Sequence, residues 1–229
     1  MTTIALNLQA TNAAIAVATV AAGRNVNEIK LLAVSKTFPV EAIREAYQAG
    51  QRDFGESYVQ EALPKLAELH DLAIVWHYIG PLQSNKTRAI AAHFAWVHSI
   101  DRLSIAERLS VQRPADLPPI QVCLQVNVSN ESSKSGVAMA EIFALAAAVS
   151  ALPNLTLRGL MAIPAPTDDE VAQRAAFAQV AHVLQALNQQ GYALDTLSMG
   201  MSHDFPAAIA EGATIVRVGT AIFGNRIYP

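Results

Sequence analysis

Eight short runs of apolar and β-branched residues recur along the chain from residue 29 onward, each separated from the next by a stretch with helical spacing. They are IKLLAVSK (29–36), RDFGES (52–57), IVWHYIG (74–80), FAWVHSI (94–100), PIQVCLQVNV (119–128), LTLRGLMAI (155–163), TLSMG (196–200) and TIVRVGT (214–220). Strands that alternate with helices pair in parallel and are joined by right-handed crossovers. Eight such units predict an α/β fold, a single (β/α)8 barrel of the TIM type with its core over 29–220 and the whole chain, 1–229, as one domain. A doubly wound open sheet is the alternative, but it expects a glycine-rich turn after the first strand, and Ser35-Lys36-Thr37 stands there instead. No Gly/Ser-rich linker or low-complexity tract marks a second domain.

Residues 1–23 precede the first strand and read as an extra amphipathic, Ala-rich helix closing at Gly23. A signal peptide is disfavoured because the first basic residue is Arg24 and polar residues interrupt the apolar run. On the same ground no segment is expected to reach membrane-spanning length. Sixteen Lys plus Arg against nineteen Asp plus Glu supply no basic field for a nucleic-acid backbone. The lone Cys123 lies in an apolar strand, where a buried inert thiol is expected, and a reducing cytoplasm fits. The six histidines show no metal-ligand spacing, so no metal site is expected. Asp168-Asp169-Glu170 reads as an acidic helix start.

Barrels of this type carry chemistry at the C-terminal ends of their strands. Lys36 is the last residue of the first run, where it is either solvated or held in a cleft of low dielectric that lowers its pKa and makes its amine a nucleophile. SMGMSHD supplies Gly200 for close backbone approach and the Ser202 hydroxyl, followed by a helix start near Pro206; RVGT supplies Gly219 and the Thr220 hydroxyl. On adjacent strands the two motifs make a cradle for a dianion. Arg217 sits mid-strand, where an arginine needs a partner, either a carboxylate such as Glu56 or a ligand atom between Lys36 and the cradle. His77, near the same rim, either lines the pocket or is hydrogen-bonded within the fold. Lys134 is a second rim lysine, read as a solvated loop residue or a transient acceptor of an aldehyde. An amine, an arginine and a dianion cradle match the aldehyde, ring nitrogen and phosphate of pyridoxal 5′-phosphate.

The motifs AVSKT (33–37), FGESYVQE (54–61), WHYIGPLQSNK (76–86), SID (99–101), VNVSNESSKSG (126–136), RGLMAIP (158–164), LSMGMSHD (197–204) and IVRVGTAIFGNR (215–226) occur in this order. Through them the chain resembles the pyridoxal phosphate homeostasis protein family, relatives of the N-terminal barrel of alanine racemase. The resemblance implies that Lys36 forms the Schiff base, that Ser202, Gly219 and Thr220 hold phosphate, and that Arg217 faces the ring nitrogen, with Ser57, Gly200 and Met201 completing the cofactor-binding set. Ser57 stands where the family commonly has asparagine, and His203 where aspartate is frequent.

Two function classes follow. One is a non-catalytic carrier that holds pyridoxal 5′-phosphate for intracellular vitamin B6 homeostasis, as a cytoplasmic monomer with cofactor-dependent apo-enzymes as recipients. The other is an amino-acid racemase. A racemase needs two acid/base groups on opposite faces of the substrate carbon, and Lys36 supplies one. Alanine racemases carry an additional β-domain, and the chain ends just past the eighth strand, which favours the carrier. A cofactor-free Schiff-base aldolase is the third reading, without an identifiable acid partner.

Overall fold

In the computed structural model, which describes residues 2–129 and 135–225, the eight expected strands all form. They are β1 (Lys30–Val34), β2 (Asp53–Glu56), β3 (Val75–Tyr78), β4 (Trp96–Ile100), β5 (Ile120–Val126), β6 (Leu155–Ala162), β7 (Thr196–Ser198) and β8 (Ile215–Val218). Each pairs in parallel with the next, and β8 returns to β1 in the register Lys30↔Ile215 to Ala33↔Val218, closing the barrel. Closure leaves no sheet edge to protect. The β6–β7 seam depends on Gly159, since a Cβ there would lie 1.8 Å from the Thr196 carbonyl oxygen.

The connecting helices are α2 (Val40–Gln48), α3 (Val59–Glu68), α4 (Thr87–His93), α5 (Leu103–Gln112), α6 (Ile142–Ser150), α7 (Glu170–Gln189), α8 (Phe205–Ala210) and the single turn α9 (Thr220–Phe223). Alternation along each strand sends Phe54, Ile120 and Leu160 into the main apolar layer beneath these helices. The lumen holds a second, smaller apolar cluster of Leu32, Trp96, Cys123, Met161 and Ile215. Cys123 is fully buried, and burial pushes its thiol up to about 12, which leaves it inert.

The extra helix α1 spans Thr3–Ala21 and contacts α2, α8 and α9, so it occupies the outer-ring position that the short α9 leaves open. Leu8, Thr11, Ile15 and Thr19 form its buried stripe. Gly23 ends it at φ +68, with Gly23 N–H donating to Val20 O and Arg24 N–H to Thr19 O, the bond pair of a Schellman stop. The expectation that no segment reaches membrane-spanning length does not hold for α1. By length and composition α1 is apolar enough to cross a membrane, at 19 residues and a mean hydropathy of 1.4, because its Ala, Ile and Val outweigh the interspersed Asn, Gln and Thr. In the fold it is tied to the barrel instead: Asn7 Nδ2 donates to Ile222 O at 3.0 Å, and Glu45 accepts from the Ile4 amide at 3.1 Å.

Candidate functional site

A cavity of about 200 Å³ opens at the C-terminal rim. Its wall includes Lys36, Ser57, Met201, Ser202, Arg217, Gly219 and Thr220, seven of the eight residues singled out from the sequence, together with His203, Val34, Ile79 and Ile163. The eighth, Gly200, lies beneath the wall: its carbonyl accepts from the Arg217 amide at 2.9 Å, its φ is +93, and a Cβ would meet that of Ala208 at 2.7 Å. Lys134 falls outside the described residues. Two roomier hollows, of about 610 and 600 Å³, lie against α1 and α2 and at the N-terminal end of the barrel. Neither combines a lysine, a buried arginine and glycine-flanked hydroxyls, and the rim cavity does.

β1 stops at Val34, so Lys36 is a half-buried turn residue rather than the end of the strand. The turn around it is braced on both sides. Ser35 Oγ donates to Glu56 Oε1 at 2.7 Å, and Lys65 Nζ bonds Ser35 O at 3.0 Å, Glu56 Oε1 at 3.1 Å and Glu61 Oε1. Glu61 Oε1 also accepts from the Thr37 amide. Thr37 adopts φ +70, an uncommon conformation for a β-branched residue that persists only when its surroundings fix it. The sequence motif FGESYVQE contains Glu56 and Glu61, and the one local signal for the brace is the i,i+4 spacing of Glu61 and Lys65. Glu56 is fully buried, and burial raises its pKa despite the neighbouring Lys65.

Glu56 is therefore not the partner of Arg217. Alternation turns Glu56 toward α3, on the opposite face of β2 from Asp53, whereas Arg217 enters the lumen. Arg217 is 4% exposed, and among the described residues no carboxylate comes within ion-pairing distance of it. Its Nη1 donates to Ser198 O at 2.5 Å and Ser198 Oγ at 2.8 Å, and its Nη2 to Ala162 O at 2.8 Å. Of the five N–H donors of a guanidinium, Nε–H and one Nη2–H keep no protein acceptor among the described residues. Burial pulls its pKa down to about 10, partly opposed by Asp204, so it stays charged at neutral pH. His77 is hydrogen-bonded inside the barrel and does not line the cavity.

Just past β8, Gly219 lets the backbone pass β1 closely, since a Cβ would stand 3.1 Å from Val34 O. α9 begins at Thr220 with no side-chain cap on its amides. The Met201 amide is held by Asp204 Oδ1 at 2.6 Å, which fixes the loop that carries Ser202. Two hydroxyls and uncapped amides fit a phosphate dianion, and the spare Arg217 donors fit a ring-nitrogen acceptor.

The fold and this rim define an alanine-racemase-type barrel: the family model for the alanine racemase N-terminal domain matches residues 6–227. The pyridoxal phosphate homeostasis protein of Pseudomonas aeruginosa is 63% identical over 228 residues, covering 100% of this chain and 98% of that protein. The Vibrio cholerae protein of the same name is 58% identical over 232 residues, covering 100% and 98%. The structure of PipY of Synechococcus elongatus with pyridoxal phosphate bound superposes with a TM-score of 0.79 at 44% identity, covering 86% of this chain and 93% of that one. The chain belongs to the pyridoxal phosphate homeostasis protein family.

Proposed function

We propose that the rim cavity binds pyridoxal 5′-phosphate and that the protein serves intracellular homeostasis of this cofactor as a carrier with little catalysis of its own. The observation that carries this reading is Arg217, a buried cation with spare donors on the wall of a cavity that also gathers a lysine and two hydroxyls. When bound, the cofactor supplies an aldehyde and an electron-withdrawing ring. Lys36 provides the amine that takes the aldehyde. Ser202, Thr220 and the backbone at Gly219 hold the phosphate. Arg217 donates to the ring nitrogen and keeps a proton off it, unlike the carboxylate partner of strongly catalytic sites. Ser57 and Met201 shape the walls, and Gly200 sets the loop beneath.

The carrier reading is favoured over the racemase by the chemistry of the wall. Besides Lys36 and Arg217, its titratable side chain among the described residues is His203, which is exposed. Tyr78 is no substitute, because its hydroxyl donates to Ser57 O and Pro81 O and burial pushes its pKa up to about 12. Cofactor-dependent apo-enzymes are the proposed recipients, with the protein acting as a cytoplasmic monomer.

Titration of cofactor-free protein with pyridoxal 5′-phosphate, followed by absorbance and intrinsic fluorescence, tests the assignment. Saturable one-to-one uptake is expected, and no uptake overturns the reading. In the same assay Ser202→Ala and Thr220→Val should each weaken binding by about 1.5–3 kcal/mol, the range for hydrogen bonds to a charged group. Wild-type affinity in the double variant moves the phosphate elsewhere on the rim.

A further inference from the structure

Beside its apolar cluster, the lumen of this barrel carries polar side chains at a depth where such barrels are ordinarily filled by layers of branched apolar ones. A continuous line of hydrogen bonds runs through it. Arg217 Nη1 lies 2.8 Å from Ser198 Oγ, which lies 2.7 Å from His98 Nδ1; His98 Nε2 is 2.9 Å from His77 Nδ1, and His77 Nε2 is 2.9 Å from Asp53 Oδ1. Ser198 is on β7 and His98 on β4, so their contact spans the barrel. Ser198, His98 and His77 are fully buried. The line connects the two ends of the molecule. Arg217 lines the rim cavity, whereas Asp53 opens β2 at the N-terminal end, where Lys30 Nζ also reaches it at 2.8 Å.

The donors and acceptors admit one polarity. Burial raises the Asp53 pKa, but the bonds from His77 and Lys30 outweigh it and hold the carboxyl below its ordinary range, so Asp53 accepts. His77 therefore carries its proton on Nε2. Burial depresses both imidazoles, so each is neutral with one ring proton. His77 Nδ1 then accepts from His98 Nε2–H, and His98 Nδ1 accepts from the Ser198 hydroxyl, whose oxygen accepts from the guanidinium. Every bond points from Arg217 toward Asp53. Trp96 stacks on the His77 ring at 5.4 Å and 10°, which fixes its plane. The charged groups packed around the line are Lys30 and Asp53 at one end, Arg158 over the Trp96 ring, and Asp204 beside Arg217.

We propose that Ser198, His98 and His77 are positioning residues of the cofactor site: the line of bonds that Asp53 terminates holds the Arg217 guanidinium in one orientation. This deepens the reading of the rim cavity and rests on it. A buried cation that makes no direct ion pair depends on well-placed hydrogen-bond acceptors. A chain of bonds that all point one way, ending on an acceptor-only carboxylate, fixes the acceptor that Arg217 Nη1 meets. The cofactor's ring nitrogen then meets donors whose direction is set on the other side of the barrel.

Nitrogen-15 imidazole spectra of cofactor-free wild-type protein, assigned with His77→Gln and His98→Gln, read the polarity directly. Both rings should be neutral and Nε2-protonated from pH 8 down past the ordinary histidine value of about 6.5. A ring protonated on Nδ1, or charged at neutrality, overturns the proposal. Asp53→Asn replaces an acceptor-only carboxylate with an amide that can also donate, so the polarity of the line is no longer fixed. It should weaken pyridoxal 5′-phosphate uptake by about 5-fold or more and shift the pH profile of the bound cofactor's absorbance. Ser198→Ala should do the same, with Ser198→Thr restoring wild-type behaviour. Wild-type affinity and pH profile in Asp53→Asn remove the relay alone. A wild-type protein that takes up no cofactor removes the reading of the cavity, and the proposal with it.

Discussion

Replacing Lys36 with alanine is expected to leave a folded protein that binds pyridoxal 5′-phosphate about 100-fold more weakly or worse, about 2.8 kcal/mol. The turn that carries Lys36 is braced through its neighbours. Ser35 is anchored by Glu56 and Lys65, and the Thr37 amide by Glu61. The variant's unfolding free energy should therefore stay within about 0.5 kcal/mol of wild type, as for a substitution outside the core. What would be lost is the amine proposed to take the aldehyde. The phosphate corner and Arg217 remain, so residual binding should be weak and without the visible absorbance of the covalently held cofactor. Wild-type affinity in this variant would assign the amine to another lysine.

Cofactor-loaded protein incubated with L-alanine and other L-amino acids in deuterated water should show no D-isomer formation or α-proton exchange approaching 1 s⁻¹, the lower end of the ordinary enzyme range of about 1–10³ s⁻¹. Two features combine. A placed acid/base group is worth about 10²–10⁴-fold, and besides Lys36 and Arg217 the described wall offers only the exposed His203. Arg217, as the proposed ring partner, would leave a poor electron sink. The mouth is also wet: Ile163 and Met201 on its wall are 41% and 39% exposed, so solvent weakens the electrostatic terms inside. Turnover at or above that rate would restore the racemase reading.

The barrel was legible because its signal is periodic and local. Eight apolar runs alternate with helical spacing, and each needs only its own residues to be recognised. The rim was legible for a related reason, since barrel topology places the ends of all eight strands together once the strands are known. Contacts across the lumen were not. His98 and Ser198 lie 100 residues apart, and only the closed ring brings β4 opposite β7. The suggested pairing of Arg217 with Glu56 failed on which face of β2 each side chain meets, a matter of register that composition does not reveal. The brace of Glu56, Glu61 and Lys65 escaped because charged residues on a helix and a strand ordinarily read as solvated, and here burial of all but Glu61 turns them into a scaffold for Lys36.

The most direct test of the cofactor site is to load wild-type protein with pyridoxal 5′-phosphate, reduce it with borohydride, and map the labelled peptide by mass. The reduced cofactor should be found on Lys36 alone, in the peptide containing AVSKT. A label principally on another lysine, Lys134 first among them, or no label at all in protein shown to hold the cofactor, would contradict the assignment of the rim cavity.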